Sequence, residues 1–493
     1  MAILSLVACL MLLTCNSRNP NLSEKQLLAL ANDTVSKTEE IPAFEFPDTS
    51  YVPAAGAKYS EIRSVDPASP PVTLKVSVSQ GVKQPLKLSR FGSSVEYVVL
   101  RLPDENDFFS LSPSPGVGTY FIRGGTLGNR SILQVNRLGN HFVVSDAIGV
   151  RLFDSSGKFV QNLLLSEFEG GEQNVQKVSI GWDGYRQAIL SDISGTRCLL
   201  TFVDYEGMKN PIDFIVKGGY GQGKIWAGEF DLSKQPLYVP QNEIPSLTPG
   251  VEMVPVRSVP SGLFLNDNTR FSFIRTGNPV AISFNSMGDT LCRFTNYVEG
   301  NGGAYNSDRA FFYRADGELF FRHEYCDTIY RVQSANRIVP VYCFDFGEKR
   351  LLPSEDAIGK SLGKLVPYKW IVFKNEMMLI FSEGRDCPIC RTRNEVTFYC
   401  LLFDKKTGQA TAIDMRSRYP ENILIENDLD NGLPVPLNTL HVQEETIIAT
   451  FAKEQIQEML KNNVDNYSPE TVTKLKALAE TLKQNEMLVI IIK

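Results

Sequence analysis

The chain has 493 residues, 43% hydrophobic and 10% aromatic, apolar mass enough for two or three ordinary domains or one large repetitive one. With 50 Lys and Arg against 56 Asp and Glu the formal charge is −6, and no basic cluster is present to neutralise phosphates, which excludes nucleic acid as a partner class. His141, His323 and His441 stand far apart, so neither a local metal site nor a cofactor is expected.

Ala2 to Leu13 is almost wholly apolar and turns polar at Asn16-Ser17-Arg18. A dozen apolar residues fall short of the roughly 20 a spanning helix needs, but they suit the core of a secretory signal. Leu12-Leu13-Thr14-Cys15 resembles the lipobox of bacterial lipoproteins, in which the cysteine takes a diacylglyceryl group and becomes the new N-terminus. That resemblance implies a signal segment over 1–15, lipid attachment at Cys15, the membrane as a partner through that lipid, and a place in the outer membrane facing periplasm or surface. Lipoboxes usually carry Ala, Gly or Ser where Thr14 stands; Leu6-Val7-Ala8-Cys9 fits better there but leaves a very short signal. No Lys or Arg precedes the run, which points to a start further upstream. A non-lipidated signal and a buried N-terminal segment are the other readings of these residues.

Residues 16–84 read as an extended tether, with Ile41-Pro42, Phe46-Pro47, Val52-Pro53 and Pro67-Ala68-Ser69-Pro70-Pro71 along it. One helix is expected within it, over Ser23–Ala31 with Ser23 as N-cap. Asp33-Thr34-Val35 resembles a short bacterial O-glycosylation acceptor.

From Pro85 the texture becomes short β-rich runs between turns, among them Val95–Leu102, His141–Asp146 and Val150–Phe153. A turn signal recurs: an apolar residue, Asp or Asn, polar residues, then Gly. It stands at Phe153–Phe159, Val203–Gly207, Phe284–Gly288, Tyr313–Gly317 and Phe403–Gly408. The acid or amide caps the turn and Gly supplies positive φ. Hairpin after hairpin at uneven spacing predicts a propeller, a sandwich array or a β-solenoid. Two helices are expected near the end, over Lys453–Leu460 and after Ser468-Pro469, where Val472, Leu475, Leu478, Ala479 and Leu482 share a face. The closing run Met487–Ile492 is an aggregation hazard unless buried. It must therefore be an interior strand, and a C-terminal interior strand implies ring closure with an N-terminal partner, for which Val95–Leu102 is the candidate.

Several passages together resemble the six-bladed β-propeller lipoproteins of gut Gram-negative anaerobes. They are His323–Val332 with its Asp327-Thr328-Ile329-Tyr330-Arg331 core, Pro340–Gly347, Glu426–Gly432 with Pro434 and Pro436, the closing helix and strand, and Pro85–Ser89 leading into Val95. Val143–Phe159 also resembles an NHL-type repeat. The resemblance implies an all-β fold of six blades over 85–493, with the two helices inserted in the last blade; seven blades is the alternative. It brings no active site. Asp327 is expected to bond backbone at a strand entrance rather than to touch a ligand.

Cys198, Cys292, Cys326, Cys343, Cys387, Cys390 and Cys400 are odd in number and scattered, unlike a disulfide scaffold, and most read as small apolar core groups. Cys387-Pro388-Ile389-Cys390, flanked by strand-like runs, reads as a disulfide at a hairpin tip, with free thiols or redox exchange as alternatives. Gly359-Lys360-Ser361-Leu362-Gly363 has the spacing of a serine nucleophile elbow but lacks the apolar strand that must precede it. Gly218–Ile225 approaches a P-loop but puts Ile225 where a hydroxyl must meet Mg²⁺. Sialidase-type Ser-x-Asp-x-Gly-x-x-Trp boxes are missing; the tryptophans are Trp182, Trp226 and Trp370. The expectation is a lipid-anchored binding module for an unknown protein or glycan. The alternative is a carbohydrate-active or other hydrolytic propeller with paired carboxylates in its funnel.

Overall fold

Runs of β-branched and aromatic residues, punctuated by Asp and Gly, form antiparallel sheets whose two faces are both apolar. The computed structural model describes residues 57–78, 86–104, 107, 109, 133–146, 149–165, 186–204, 224–234, 252–256, 263–273, 279–285, 289–297, 311–352, 355, 363–383, 396–413, 424–437, 440–463 and 467–493, apart from Asp267 and Glu324. The chain divides into two units, Met1–Thr49 and Ser50–Lys493. The first lies wholly outside the described residues, with Cys9, Cys15 and the helix expected at Ser23–Ala31.

Strands β1 (Ile62–Arg63), β2 (Val72–Lys75) and β3 (Val95–Arg101) precede six sheets that follow in chain order. The first sheet is β4 (Gln134–Leu138), β5 (His141–Ser145), β6 (Gly149–Phe153) and β7 (Phe159–Leu165). The second is β8 (Arg186–Ser194), β9 (Arg197–Asp204), β10 (Lys224–Asp231) and β11 (Glu252–Val256). The third is β12 (Leu263–Asn266), β13 (Thr269–Phe273), β14 (Ala281–Asn285) and β15 (Thr290–Phe294). The fourth is β16 (Phe311–Ala315), β17 (Glu318–Arg322), β18 (Thr328–Ser334) and β19 (Arg337–Asp345). The fifth is β20 (Leu365–Val372), β21 (Glu376–Glu383), β22 (Thr397–Asp404) and β23 (Ala410–Ile413). A short pair, β24 (Leu424–Ile425) with β25 (Val435–Pro436), follows. The sixth sheet joins β26 (Leu440–Gln443), β27 (Thr446–Phe451) and β28 (Glu486–Ile492) to β3, in the order β26-β27-β28-β3. This is a six-bladed β-propeller, as expected, and not a seven-bladed one.

Ring closure follows the sequence expectation. β28 pairs antiparallel with β3, Met487 opposite Leu100 and Ile490 opposite Tyr97. Its period of two divides its side chains between two cores. Met487, Val489 and Ile491 pack with Phe142, Val144 and Phe153 of the first blade. Leu488, Ile490 and Ile492 pack with Met378, Ile380 and Leu402 of the fifth. Between β26 and β4 the seam is polar: Arg137 N donates to Gln443 Oε1 at 2.6 Å and Gln443 Nε2 returns to Arg137 O at 2.7 Å.

Helices α1 (Lys453–Asn463) and α2 (Pro469–Thr481) lie between β27 and β28, so the last blade carries the helical insertion. Ser468 Oγ caps α2 by accepting from Thr471 N at 3.1 Å, with Pro at the first turn. Part of the segment expected as a tether is docked on the ring. β1 and β2 pair in parallel with β19, the outer strand of the fourth blade, Ile62 opposite Arg337 and Val72 opposite Tyr342.

The recurring turns work as their residues predict. Asp154 Oδ1 accepts from Ser156 N at 2.9 Å and Lys158 N at 3.0 Å, and Gly157 has φ +85°. Asp404 Oδ1 accepts from Thr407 N at 2.7 Å and Lys406 N at 3.0 Å, and Gly408 has φ +69°. Asp316 and Gly317 both take positive φ between β16 and β17, the twist that matches a two-residue hairpin.

Candidate functional site

In a four-stranded antiparallel blade the first-to-second and third-to-fourth connections lie at one end. The second-to-third connection and the link to the next blade lie at the other. The first end is mostly tightly turned: Leu138 to His141, Ser194 to Arg197, Ala315 to Glu318 and Gln443 to Thr446 are joined by two residues each, and the long exception is Asp231 to Glu252 in the second blade. The opposite end carries long connections, from Asp204 to Lys224, Glu383 to Thr397, Phe451 to Glu486, Leu165 to Arg186, Asp345 to Leu365 and Ile413 to Leu440.

At the long-connection end, between the fourth and fifth blades, the β17–β18 and β19–β20 connections frame a cleft of about 20 Å³. Arg322, Tyr325, Asp327, Phe346, Arg350 and Leu351 line it, closed below by Leu365, Val366 and Pro367. Each polar member has a local reason for its place. Arg322 ends β17 and is buried, with its guanidinium 5.7 Å from the centre of the Phe344 ring. Tyr325 turns the corner into β18 at φ +58° while buried, an uncommon conformation for a bulky side chain. Cys326 N donates to His323 O at 3.1 Å across that corner. Asp327 O accepts from Phe344 N at 2.8 Å and enters the ladder, while its carboxylate Oδ2 meets Arg350 Nε at 2.7 Å.

The electrostatics follow from this packing. Burial pushes the Asp327 carboxyl above the ordinary range, against the pull of Arg350 and Arg322 and with a small push from Asp345. Arg350 itself is about half exposed, at 48%, so the pair is open on the guanidinium side. Beside the cleft, Glu383 takes Lys349 at 3.3 Å and the Tyr399 hydroxyl at 2.9 Å. Burial and then that carboxylate push the Tyr399 phenol up to about 12. The arrangement offers two guanidiniums, one half-buried carboxylate and an apolar floor.

The Asp327-Thr328-Ile329-Tyr330-Arg331 core thus divides its work. Ile329 is fully buried against the fifth blade, and Tyr330 packs toward the third. The role expected for the Asp327 side chain at the strand entrance falls to its carbonyl, and the carboxylate goes to Arg350 instead. Sequence reading passed over Arg322, Tyr325 and Arg350: the first and last sit far apart in the chain, and no Gly or Asn announces the positive φ. Cys15, Cys9, Cys387 and Cys390 lie outside the described residues, as does the P-loop-like stretch up to Gly223; of the elbow-like stretch only Gly363 is described. Cys198, Cys292 and Cys400 are buried free thiols in the core, and Cys326 and Cys343 are half-buried and free. Among the described residues no helix is long and apolar enough to cross a membrane, and no three metal-ligating side chains converge.

The profile of a domain family of unknown function, DUF4933, matches residues 54–462. The chain belongs to the DUF4933 family. No curated protein sequence matches it. Among solved structures, Trypanosoma rangeli sialidase in complex with sialic acid aligns at a TM-score of 0.30 and 8% identity over 78% of this chain and 59% of that one. The chain thus spans well under two thirds of that sialidase. The xylan β-1,4-xylosidase of Bacillus halodurans C-125 aligns at 0.25 and 12% identity, over 72% of this chain and 69% of that one. The N-terminal domain of Nup159 aligns at 0.25 and 8% identity, over 86% and 100%. Likenesses this low carry no argument; the fold rests on the strand register.

Proposed function

We propose that this DUF4933 protein is a recognition module held at the cell envelope by lipid on Cys15, presenting the long-connection end of its propeller to a protein or glycan partner. One observation carries the reading: the long connections lie mostly at one end of the ring, with Asp231 to Glu252 the exception, while two-residue turns predominate at the other. Long connections on a fixed scaffold are where binding specificity is built. The apolar run before Cys15 and the lipobox-like Leu12-Leu13-Thr14-Cys15 support the anchor.

The test is cross-linking and glycan-array binding by the full chain extracted from membranes. Partners are identified by mass spectrometry, and Arg350→Glu at the long-connection end is compared with Lys406→Glu in an exposed tight turn. The expected result is a partner lost with Arg350→Glu and kept with Lys406→Glu. The reverse pattern, or hydrolysis of an array glycan, sinks the reading.

A further inference from the structure

We propose that the cleft framed by Arg322, Asp327 and Arg350 is a binding site for a carboxylate group, with Asp327 serving as the internal anion that the ligand displaces. The inference rests on the recognition reading only in placing a ligand at this end of the ring.

The donors come first. Arg350 touches Asp327 through Nε, one of its five N–H donors, and its side chain is 48% exposed. A guanidinium fork of this kind matches a planar carboxylate with two parallel hydrogen bonds. Arg322, from a different connection, lines the same cleft and adds positive charge from a buried position. The lining thus sets two guanidiniums beside one carboxylate.

Size and surroundings agree. About 20 Å³ is the room of one or two oxygen-sized groups, the head of a carboxylate rather than a whole sugar or side chain. Phe346, Leu351, Leu365 and Val366 form an apolar floor, where a charge pair interacts more strongly than in water. Tyr325 is held in the left-handed region at the wall of the cleft, and such strain gathers at binding sites.

Asp327 supplies the release. Its charge is disfavoured by burial, so a ligand carboxylate that takes Arg350 leaves Asp327 free to accept a proton. The charged and titratable groups facing it are Arg322 at the end of β17, Arg350 and Asp345 on the β19–β20 side, and the Cys343 thiol of β19. Arg350 and Arg322 favour the charged form of Asp327, and Asp345 favours its protonated form. Binding therefore takes up a proton, and affinity should fall as pH rises through the Asp327 range.

Titration calorimetry of the full chain with acetate and with D-glucuronate, at pH 5.5 and pH 7.5, tests this. Both probes should bind, several-fold more tightly at the lower pH. Asp327→Asn should strengthen binding about tenfold at pH 7.5 and abolish the pH dependence, because the internal competitor is gone. Arg350→Leu should weaken it at least tenfold. If Asp327→Asn does not fold, judged by near-ultraviolet circular dichroism, Arg350→Lys keeps the charge without the fork and should weaken binding about tenfold. The proposal is overturned if neither probe binds the wild type more tightly than chloride, or if folded Asp327→Asn binds no more tightly. A partner found on the glycan array by a chain that ignores acetate would sink this site and leave the recognition reading standing.

Discussion

Gly157 and Gly408 hold equivalent places in different blades. A Cβ on Gly157 would lie 2.2 Å from Val99 O in β3, and one on Gly408 would lie 2.1 Å from Thr73 O in β2. In each case a tight turn meets the outer strand that the N-terminal segment lays on the preceding blade. Positive φ alone costs a non-glycine residue about 1 kcal/mol. Gly195, at φ +60° with open space around it, isolates that cost. Gly195→Ala should lose about 1 kcal/mol in urea unfolding, and Gly408→Ala about 3 kcal/mol, because β2 must also move. Equal losses would show that the approach of β2 is not tight. Asp192 tests electrostatics at the same scale. Its Oδ2 accepts from Phe264 N at 2.7 Å and from Arg314 at 2.6 Å, joining the inner strands β8, β12 and β16 of three blades. Burial outweighs these partners and holds its carboxyl above the ordinary range. The folded state then binds the proton more tightly than the unfolded one. The contribution from Asp192 is full below about pH 4, the unfolded value, and is lost as pH rises through the raised value. The stability gap between wild type and Asp192→Asn should therefore narrow from pH 4 to pH 7. A gap that is flat or widens would show that Arg314 wins over burial.

Among the elements, β28 carries the most, since it closes the ring and feeds the cores on both of its faces. Ile490 is fully buried between the fifth and sixth blades. Ile490→Ala should cost about 2–5 kcal/mol, the range for truncating a core aliphatic side chain. Ser468→Ala, which removes only the cap of α2, should cost about 1 kcal/mol. If the two variants melt together, closure by β28 is not limiting. This strand was legible in the sequence because Met487 to Ile492 is apolar at every position, which only a strand covered on both faces tolerates. The turns at Asp154 and Asp404 were legible because capping and positive φ are local chemistry. β1 and β2 were not, because parallel pairing with β19 joins segments more than 260 residues apart in sequence and leaves no local period. The candidate cleft was half legible: Asp327 stood out in a distinctive motif, but Arg350 entered only when the β19–β20 connection folded back, and Tyr325 gives no sign in sequence of its left-handed backbone.

For the molecule as a whole, the ring leaves the N-terminal segment at the tightly turned end. Tyr59 N donates to Leu291 O at 2.8 Å and Ile62 N to Asn336 O at 2.7 Å, both beside third-to-fourth strand turns. The chain thus meets the ring at the end where two-residue turns predominate, and the proposed anchor is lipid on Cys15. Cys15→Ser is the sharpest test of that anchor. Each buried methylene adds about 0.8 kcal/mol of membrane affinity and a single acyl chain binds only marginally, so stable anchoring needs a multiply acylated cysteine. Without it the variant should move into the soluble fraction on cell fractionation, with a folded propeller and unchanged partner binding in solution. If Cys15→Ser stays with the membrane while Cys9→Ser is released, the lipid is on Cys9. If both stay membrane-bound with an uncleaved N-terminus, the anchor is not lipid on either cysteine, and the recognition end must then be positioned by something other than its tether.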